Sequence, residues 1–174
     1  MKNKTKKIRV WDIFKSAFET EMRRKEELPT DVNYTITEKE FPDLKNHNID
    51  AIQVFKIRWI VRKYDSIFAI TCLNIYDEPV IVTDEFFELL PDIAKRFCIA
   101  HEIGHIINNE PKELEGKKFS IENEKRADEY AASIIGLENA IKSLESFIKI
   151  TTPGVINRRA INERIDYLQQ KIKK

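Results

Sequence analysis

The chain has 174 residues, which is the size of one ordinary domain. Hydrophobic residues make up 42% of it and charged residues 34%, while only four glycines and six prolines exclude a collagen-like or a Pro/Gly-rich disordered chain. The 30 basic and 29 acidic residues give a net charge of +1, which argues against direct nucleic-acid binding through a broad basic surface.

The composition also predicts a cytoplasmic protein. Apolar runs stay shorter than the roughly 18 residues that a membrane-spanning helix needs, so no membrane span is expected. Residues 1–7 form a basic start that we expect to be disordered, and the charged side chains within 8–18 prevent an apolar export signal. The two cysteines, Cys72 and Cys98, are too few for a disulfide framework and favour a reducing compartment.

The first half of the chain is predicted to form one helix and a small sheet. Residues 8–28 have apolar side chains at three- and four-residue steps, which is typical of an amphipathic helix. The polar segment 29–50 is predicted to be a long connection. Residues 52–62 alternate in hydrophobicity and predict a strand, and two further strands are predicted at 67–75 and 80–82. We expect a three-stranded, mostly antiparallel sheet.

The second half is predicted to be helical. Asp92 suits the first turn of a long helix. Ser120 can cap a second helix over 121–135, which ends near Gly136. Two more helices are indicated by apolar stripes, whose members are Leu137, Ile141, Leu144, Ile148, Ile161, Ile165, Leu168 and Ile172. The sequence therefore predicts one α+β domain over residues 1–174.

The long helix contains the pattern that indicates chemistry, with His101, Glu102 and His105 among apolar neighbours. Such a helix should be buried, and buried charged groups are normally paired or bound to a metal. Positions four apart lie one above the other, so the two imidazoles can occupy two corners of a tetrahedral zinc site. Glu102 is rotated from His101 by about 100° and can act as a general base toward a metal-bound water. The alternative is a pair of hydrogen-bonded core histidines.

A catalytic zinc also needs a third protein ligand and an open position. No histidine follows His105, so the third ligand must be a carboxylate or a cysteine. Glu124 is the best candidate, because it shares a helical face with Ala127, Asp128 and Ala131, and small alanines let the histidine helix approach. Asp128 is placed to accept the spare N–H of a ligand imidazole. The alternative is a solvated acidic helix face.

The combination of an HEIGH motif at 101–105 and an ExxAD motif at 124–128 resembles the gluzincin zinc metallopeptidases. The first candidate branch is the ImmA/IrrE-like family, soluble bacterial proteases often encoded beside a helix-turn-helix repressor. The runner-up is the minigluzincin-like branch, which segment 164–168 resembles. The resemblance covers residues 79–136 well and the rest of the chain in outline.

This resemblance implies a zincin-like domain whose N-terminal helix and small sheet precede an active-site helix with His101 and His105, a helix with Glu124, and two C-terminal helices. The edge of the sheet, expected at 80–82, would line a substrate cleft. The implied activity is a zinc-dependent endopeptidase with one Zn2+ ion, which hydrolyses peptide bonds of a specific protein through metal-activated water and Glu102. A helix-turn-helix repressor is one candidate substrate. The oxyanion-stabilising donor stays open among Tyr130, Arg126, Arg158 and Arg159.

A second hypothesis comes from a different functional class. The chain would be a non-catalytic, zinc-stabilised module that binds a protein partner without cutting it. Its few glycines and its many Lys and Glu residues on helices suit such a role. A four-coordinate metal without a water ligand would favour this hypothesis over the peptidase.

Overall fold

The computed structural model describes residues 32–56, 69–73, 78–83, 85–108, 110, 120–150 and 158–172. The predicted basic start and N-terminal helix, the last part of the strand predicted over 52–62, and both ends of the strand predicted over 67–75 lie outside the described residues. Within the described residues the chain is α+β, with a mixed sheet and six helices.

The sheet contains four strands in the described part of the chain. They are β1 (Val32–Thr37), β2 (Ala51–Lys56), β3 (Ala69–Leu73) and β4 (Pro79–Thr83), in the order β1-β2-β4-β3. The β1/β2 and β3/β4 pairs are antiparallel, and the central β2/β4 pair is parallel. The sheet is therefore mostly antiparallel as predicted, but the prediction of three strands was wrong.

The additional strand lies within the segment predicted as a connection. The sequence of β1, VNYTIT, alternates apolar and polar residues, and its last four residues pair in register with β2. Ile36 of this strand is buried in the core. The prolines and asparagines of segment 29–50 led to the prediction of a connection. The strand forms because it pairs with β2.

The prediction that residues 80–82 form a sheet edge was also wrong. Strand β4 lies between β2 and β3, and Val80, Ile81 and Val82 are all buried. Among the described strands, β1 and β3 are the edges. A strand that is buried on both faces reads as a continuous apolar run, as β4 does.

The helices are α1 (Asp43–Asn46), α2 (Glu85–Leu89), α3 (Asp92–Ile107), α4 (Ile121–Ile135), α5 (Leu137–Ile150) and α6 (Arg158–Ile172). Sequence patterns predicted the four long ones. The Ser120 hydroxyl accepts a hydrogen bond from the Asn123 backbone N–H at 3.4 Å, which caps α4 as expected. Gly136 ends α4 with a φ of 89°, a conformation that favours glycine.

Helix α3 lies at the centre of the structure. It packs on α4, on α5 and on strands β3 and β4. Phe97 is fully buried, and its ring lies 5.8 Å from that of Phe147 in α5. Ala94, Ala100 and Ile103 are also inaccessible to solvent. This apolar environment surrounds the polar motif that α3 carries.

Helices α3 and α4 meet closely at the site. A Cβ atom added to Gly104 would lie 2.9 Å from the Cα of Ala127 and 3.2 Å from its carbonyl oxygen. Ala127 and Ala131 are both fully buried at this contact face. The small residues predicted on α4 thus face α3, and Gly104 completes the close approach.

Candidate metal centre

His101 and His105 lie one turn apart on α3 and point to the same place. Their Nε2 atoms are 3.0 Å apart, and the two rings meet edge to face with centroids separated by 4.6 Å. His101 is buried, whereas His105 is partly accessible to solvent. The pair therefore presents two nitrogen donors toward one point at the border of the core.

Glu124, in the first turn of α4, brings a carboxylate to the same point. Its Oε2 lies 3.4 Å from His101 Nε2, and its Oε1 lies 3.5 Å from His105 Nε2. The three donor groups lie within 4.8 Å of one another and could hold a metal ion. The structure thus brings together all three residues predicted as metal ligands.

The separations between the donor atoms suit a small cation. Tetrahedral zinc with bonds of about 2.0–2.2 Å to nitrogen and oxygen places its ligand atoms about 3.3–3.5 Å apart. The two nitrogen–oxygen separations fall at this value, and the nitrogen–nitrogen separation is slightly shorter. Two imidazoles and one carboxylate are also the donor set of several catalytic zinc sites, with a fourth position left for water or substrate.

Asp128 occupies the position predicted for it behind His101. Its Oδ1 lies 2.9 Å from His101 Nδ1, and its side chain is inaccessible to solvent. When the ring is neutral, its Nδ1–H donates to this carboxylate and Nε2 keeps a free lone pair for a metal. Asp128 therefore fixes both the tautomer and the orientation of this imidazole.

Arg164 of α6 was noted from the sequence only as part of the resembling segment 164–168 and was given no role in the site. It donates to Asp128 through Nε at 2.7 Å and through NH2 at 2.6 Å, and to Glu124 through NH1 at 2.8 Å. Its side chain is 11% exposed, so it is a buried charge held by two carboxylates. The sequence did contain a signal for this role. Arg164 lies beside Ile165 in the apolar stripe of the last helix, and a charged residue in such a stripe predicts a buried acidic partner.

The electrostatics of the site favour positive charge between the carboxylates. Burial alone would lower the pKa of His101, but hydrogen bonds with Asp128 and Glu124 outweigh it and raise this pKa to about 10. Burial would raise the pKa of Glu124, but the hydrogen bonds from His101 and His105 hold it well below its ordinary value. For Asp128 the opposing effect of burial is overcome by the charge and hydrogen bonds of Arg164, and the pKa is lowered.

Glu102 is the predicted general base, and it is buried beside the pair of histidines. The Thr71 hydroxyl of β3 lies 2.7 Å from Glu102 Oε2 and 3.1 Å from its backbone oxygen. Thr71 is itself buried, and the sequence analysis did not identify it. The edge strand β3 therefore passes directly along the motif, at the place where β4 had been expected.

A further carboxylate lies behind the second imidazole. Oε2 of Glu110 is 2.6 Å from His105 Nδ1, and this glutamate is buried just beyond the end of α3. Cys98, by contrast, belongs to the hydrophobic core. Of the residues left open as oxyanion donors, Arg126 contacts Glu110, and exposed Arg158 donates to the backbone carbonyl of Ile148 at 3.4 Å.

Comparison of the chain with protein-family models, with curated proteins and with solved structures finds no match. The resemblance to the gluzincins therefore depends on the two motifs and on the geometry of the residues that they contain. Among the described helices, none combines the length and the apolar character needed to cross a membrane.

Proposed function

We propose that this protein is a zinc-dependent endopeptidase of the gluzincin type, with a zincin-like fold and a narrow protein substrate. The observation that carries the proposal is the convergence of His101, His105 and Glu124 on one point, with Glu102 held beside them. All three ligands were named from the sequence, and α3 and α4 bring their donor atoms within 4.8 Å of one another, close enough to hold one ion.

The arrangement of the fold supports this function. One helix carries both imidazoles, the next carries the glutamate, and the edge strand β3 runs antiparallel to β4 beside the motif. An exposed strand edge can hold an extended peptide through backbone hydrogen bonds. We infer that a substrate pairs with β3, because Thr71 of this strand touches Glu102.

The proposed reaction follows from what these residues can do. A bound zinc ion would supply a water of lowered pKa and polarise the peptide carbonyl. Glu102 would take the proton of that water at Oε1, because the Thr71 hydroxyl is bonded to Oε2. The same carboxyl group can then deliver the proton to the leaving amine. Asp128 would keep the His101 ring in its ligating orientation throughout.

The class of substrate is inferred from the family resemblance. We propose the ImmA/IrrE-like branch, in which a transcriptional repressor is the candidate target, and a cytoplasmic location, in keeping with the low cysteine count. Fold analogy alone links the chain to that target. The minigluzincin-like branch remains the second candidate, because Arg164 lies in the segment that resembles it.

The test is the substitution Glu102→Gln in the purified protein. We expect the variant to retain zinc, measured by elemental mass spectrometry, because Glu102 is not a ligand. Cleavage of a proteome-derived peptide library, followed by mass spectrometry of the new termini, should fall by about 10²–10⁴-fold. Glu122→Gln, an exposed change on α4, should keep the wild-type rate.

Two outcomes would contradict the proposal. A Glu102→Gln protein that cuts peptides at the wild-type rate would remove Glu102 as the base. Zinc-loaded wild-type protein that produces no new termini, and whose cobalt-substituted form shows four protein ligands, would instead support the non-catalytic interaction module.

A further inference from the structure

The Nδ1 side of the His105 ring contacts Glu110, a residue that lies outside both the HEIGH and the ExxAD motif. Its Oε2 is 2.6 Å from His105 Nδ1, and its backbone N–H donates to the His105 carbonyl at 2.9 Å. Glu110 therefore contacts both the ring and the backbone of the same residue. With Nδ1–H donating to this carboxylate, the Nε2 of His105 keeps its lone pair for a metal.

The second oxygen of Glu110 is bound by Arg126 of α4. Arg126 donates to Oε1 through Nε at 3.0 Å and through NH2 at 2.7 Å, and NH2 also donates to Asn123 Oδ1 at 2.6 Å. The side chain of Glu110 is only 6% exposed, so its charge needs this compensation. Because Arg126 lies two residues after Glu124, the helix that supplies the carboxylate ligand also fixes the support of His105.

Each of the two imidazoles thus contacts a carboxylate that is in turn bound by an arginine. His101 is supported by Asp128 and the buried Arg164, and His105 by Glu110 and Arg126. The two supports differ in their exposure to solvent. The Arg126 side chain is 51% exposed, whereas that of Arg164 is 11% exposed.

We propose that Glu110 is a positioning residue for His105 and that Arg126 acts on the metal site only through Glu110. A carboxylate behind a ligand imidazole fixes its tautomer and ring orientation and raises its basicity, and loss of such a partner weakens metal binding about 10–100-fold. The proposal rests on the metal site of the proposed function and does not depend on peptidase activity.

The test measures zinc affinity of the full chain by competition with a chromophoric chelator at fixed pH. Glu110→Ala should raise the Kd by about 10–100-fold. Glu110→Gln should lose less affinity, because the amide oxygen still accepts from Nδ1. Arg126→Ala should lose less zinc affinity than Glu110→Ala. The double variant with Glu110→Ala and Arg126→Ala should bind zinc no more weakly than Glu110→Ala alone.

Controls separate positioning from folding. Glu122→Ala removes an exposed carboxylate of α4 that pairs with Lys125, and it should leave the Kd unchanged. Thermal unfolding without metal reports the purely structural effect of each variant. The visible spectrum of the cobalt form should shift in Glu110→Ala, because the ring orientation changes. If Glu110→Ala fails to fold, Glu110→Gln and Arg126→Ala still test the proposal.

Wild-type affinity in both Glu110 variants would overturn the positioning role. A double variant whose loss equals the product of the two single losses would show that Arg126 acts independently of Glu110. Wild-type protein that binds no zinc would instead refute the metal site itself, so failure of this proposal and failure of the proposed function are distinguishable.

Discussion

At the scale of single residues, the described part of the chain has its buried charged side chains at one place. Whole-residue exposure is below 10% for each of these five: His101, Glu102, Glu110, Asp128 and Arg164. Each has a charged or hydroxyl partner within 3 Å. Buried charges are retained only when they are paired, so this cluster indicates a function that an apolar core would not serve.

We expect the substitution Arg164→Met to be strongly destabilising. It leaves Asp128 buried without its cation, and breaking a buried ion pair in this way costs about 3–5 kcal/mol. Urea unfolding at neutral pH measures the loss. Arg159→Met, an exposed change on the same helix, should have almost no effect. Equal stability of the two variants would show that Asp128 does not depend on Arg164.

Some residues of the candidate site could be predicted from the sequence, and others could not. The two histidines, Glu102 and Glu124 lie in motifs whose helical spacing alone places their side chains on defined faces. Thr71 and Arg164 contribute through contacts with residues 31 and 36 positions away, and no local pattern encodes such pairs. Only the isolated charge in the stripe of the last helix hinted at Arg164.

At the scale of elements, the close contact between α3 and α4 sets the geometry of the site. Both imidazoles come from α3 and the carboxylate comes from α4, so the distance between these helices determines whether the three donors can share an ion. Gly104 and Ala127 make that distance short, because neither has a side chain beyond Cβ. The small residues at this contact therefore serve the candidate metal centre as well as the packing.

Gly104→Ala should therefore destabilise the protein, although alanine normally stabilises a helix interior by about 1 kcal/mol relative to glycine. The added Cβ would meet the Ala127 backbone at 2.9 Å, and such overpacking typically costs about 1–3 kcal/mol. Urea unfolding measures the change, and the zinc Kd should rise with it. Ala127→Gly should not rescue the variant, because the two nearest atoms belong to the backbone. Unchanged or increased stability would contradict this account.

The order of the strands in the sheet was harder to predict than the positions of the helices. The long helices have regular apolar stripes, and capping residues mark the start of α4. The sheet depends on pairing between distant segments, and β4 inserts between β2 and β3 although β3 precedes it in the chain. The hairpin order expected from sequence neighbours therefore placed the wrong strand at the edge.

At the scale of the whole molecule, metal binding and folding should be coupled. The donors come from two helices, and their supports come from α4, from α6 and from Glu110 beyond the end of α3, so an unfolded chain cannot present them together. A ligand that binds only the folded state stabilises it, by about 4 kcal/mol at 1,000 times its Kd. The metal ion is thus expected to act as a cross-link between helices.

We expect a chelator to lower the Tm of the zinc-loaded protein by several degrees, and added zinc to restore it. Differential scanning calorimetry measures this shift. The variant with His101→Ala and His105→Ala should show the same Tm with and without zinc. A zinc-dependent Tm in that variant would place the stabilising ion elsewhere in the molecule.

The position of Arg164 in the last helix has a consequence for biosynthesis. A ribosome releases the histidines and Glu124 first, and the arginine that neutralises Glu124 follows 40 residues later. A nascent chain therefore displays its acidic donors before their counter-charge exists. The ion pairs around the candidate metal centre are therefore complete only after α6 has been synthesised.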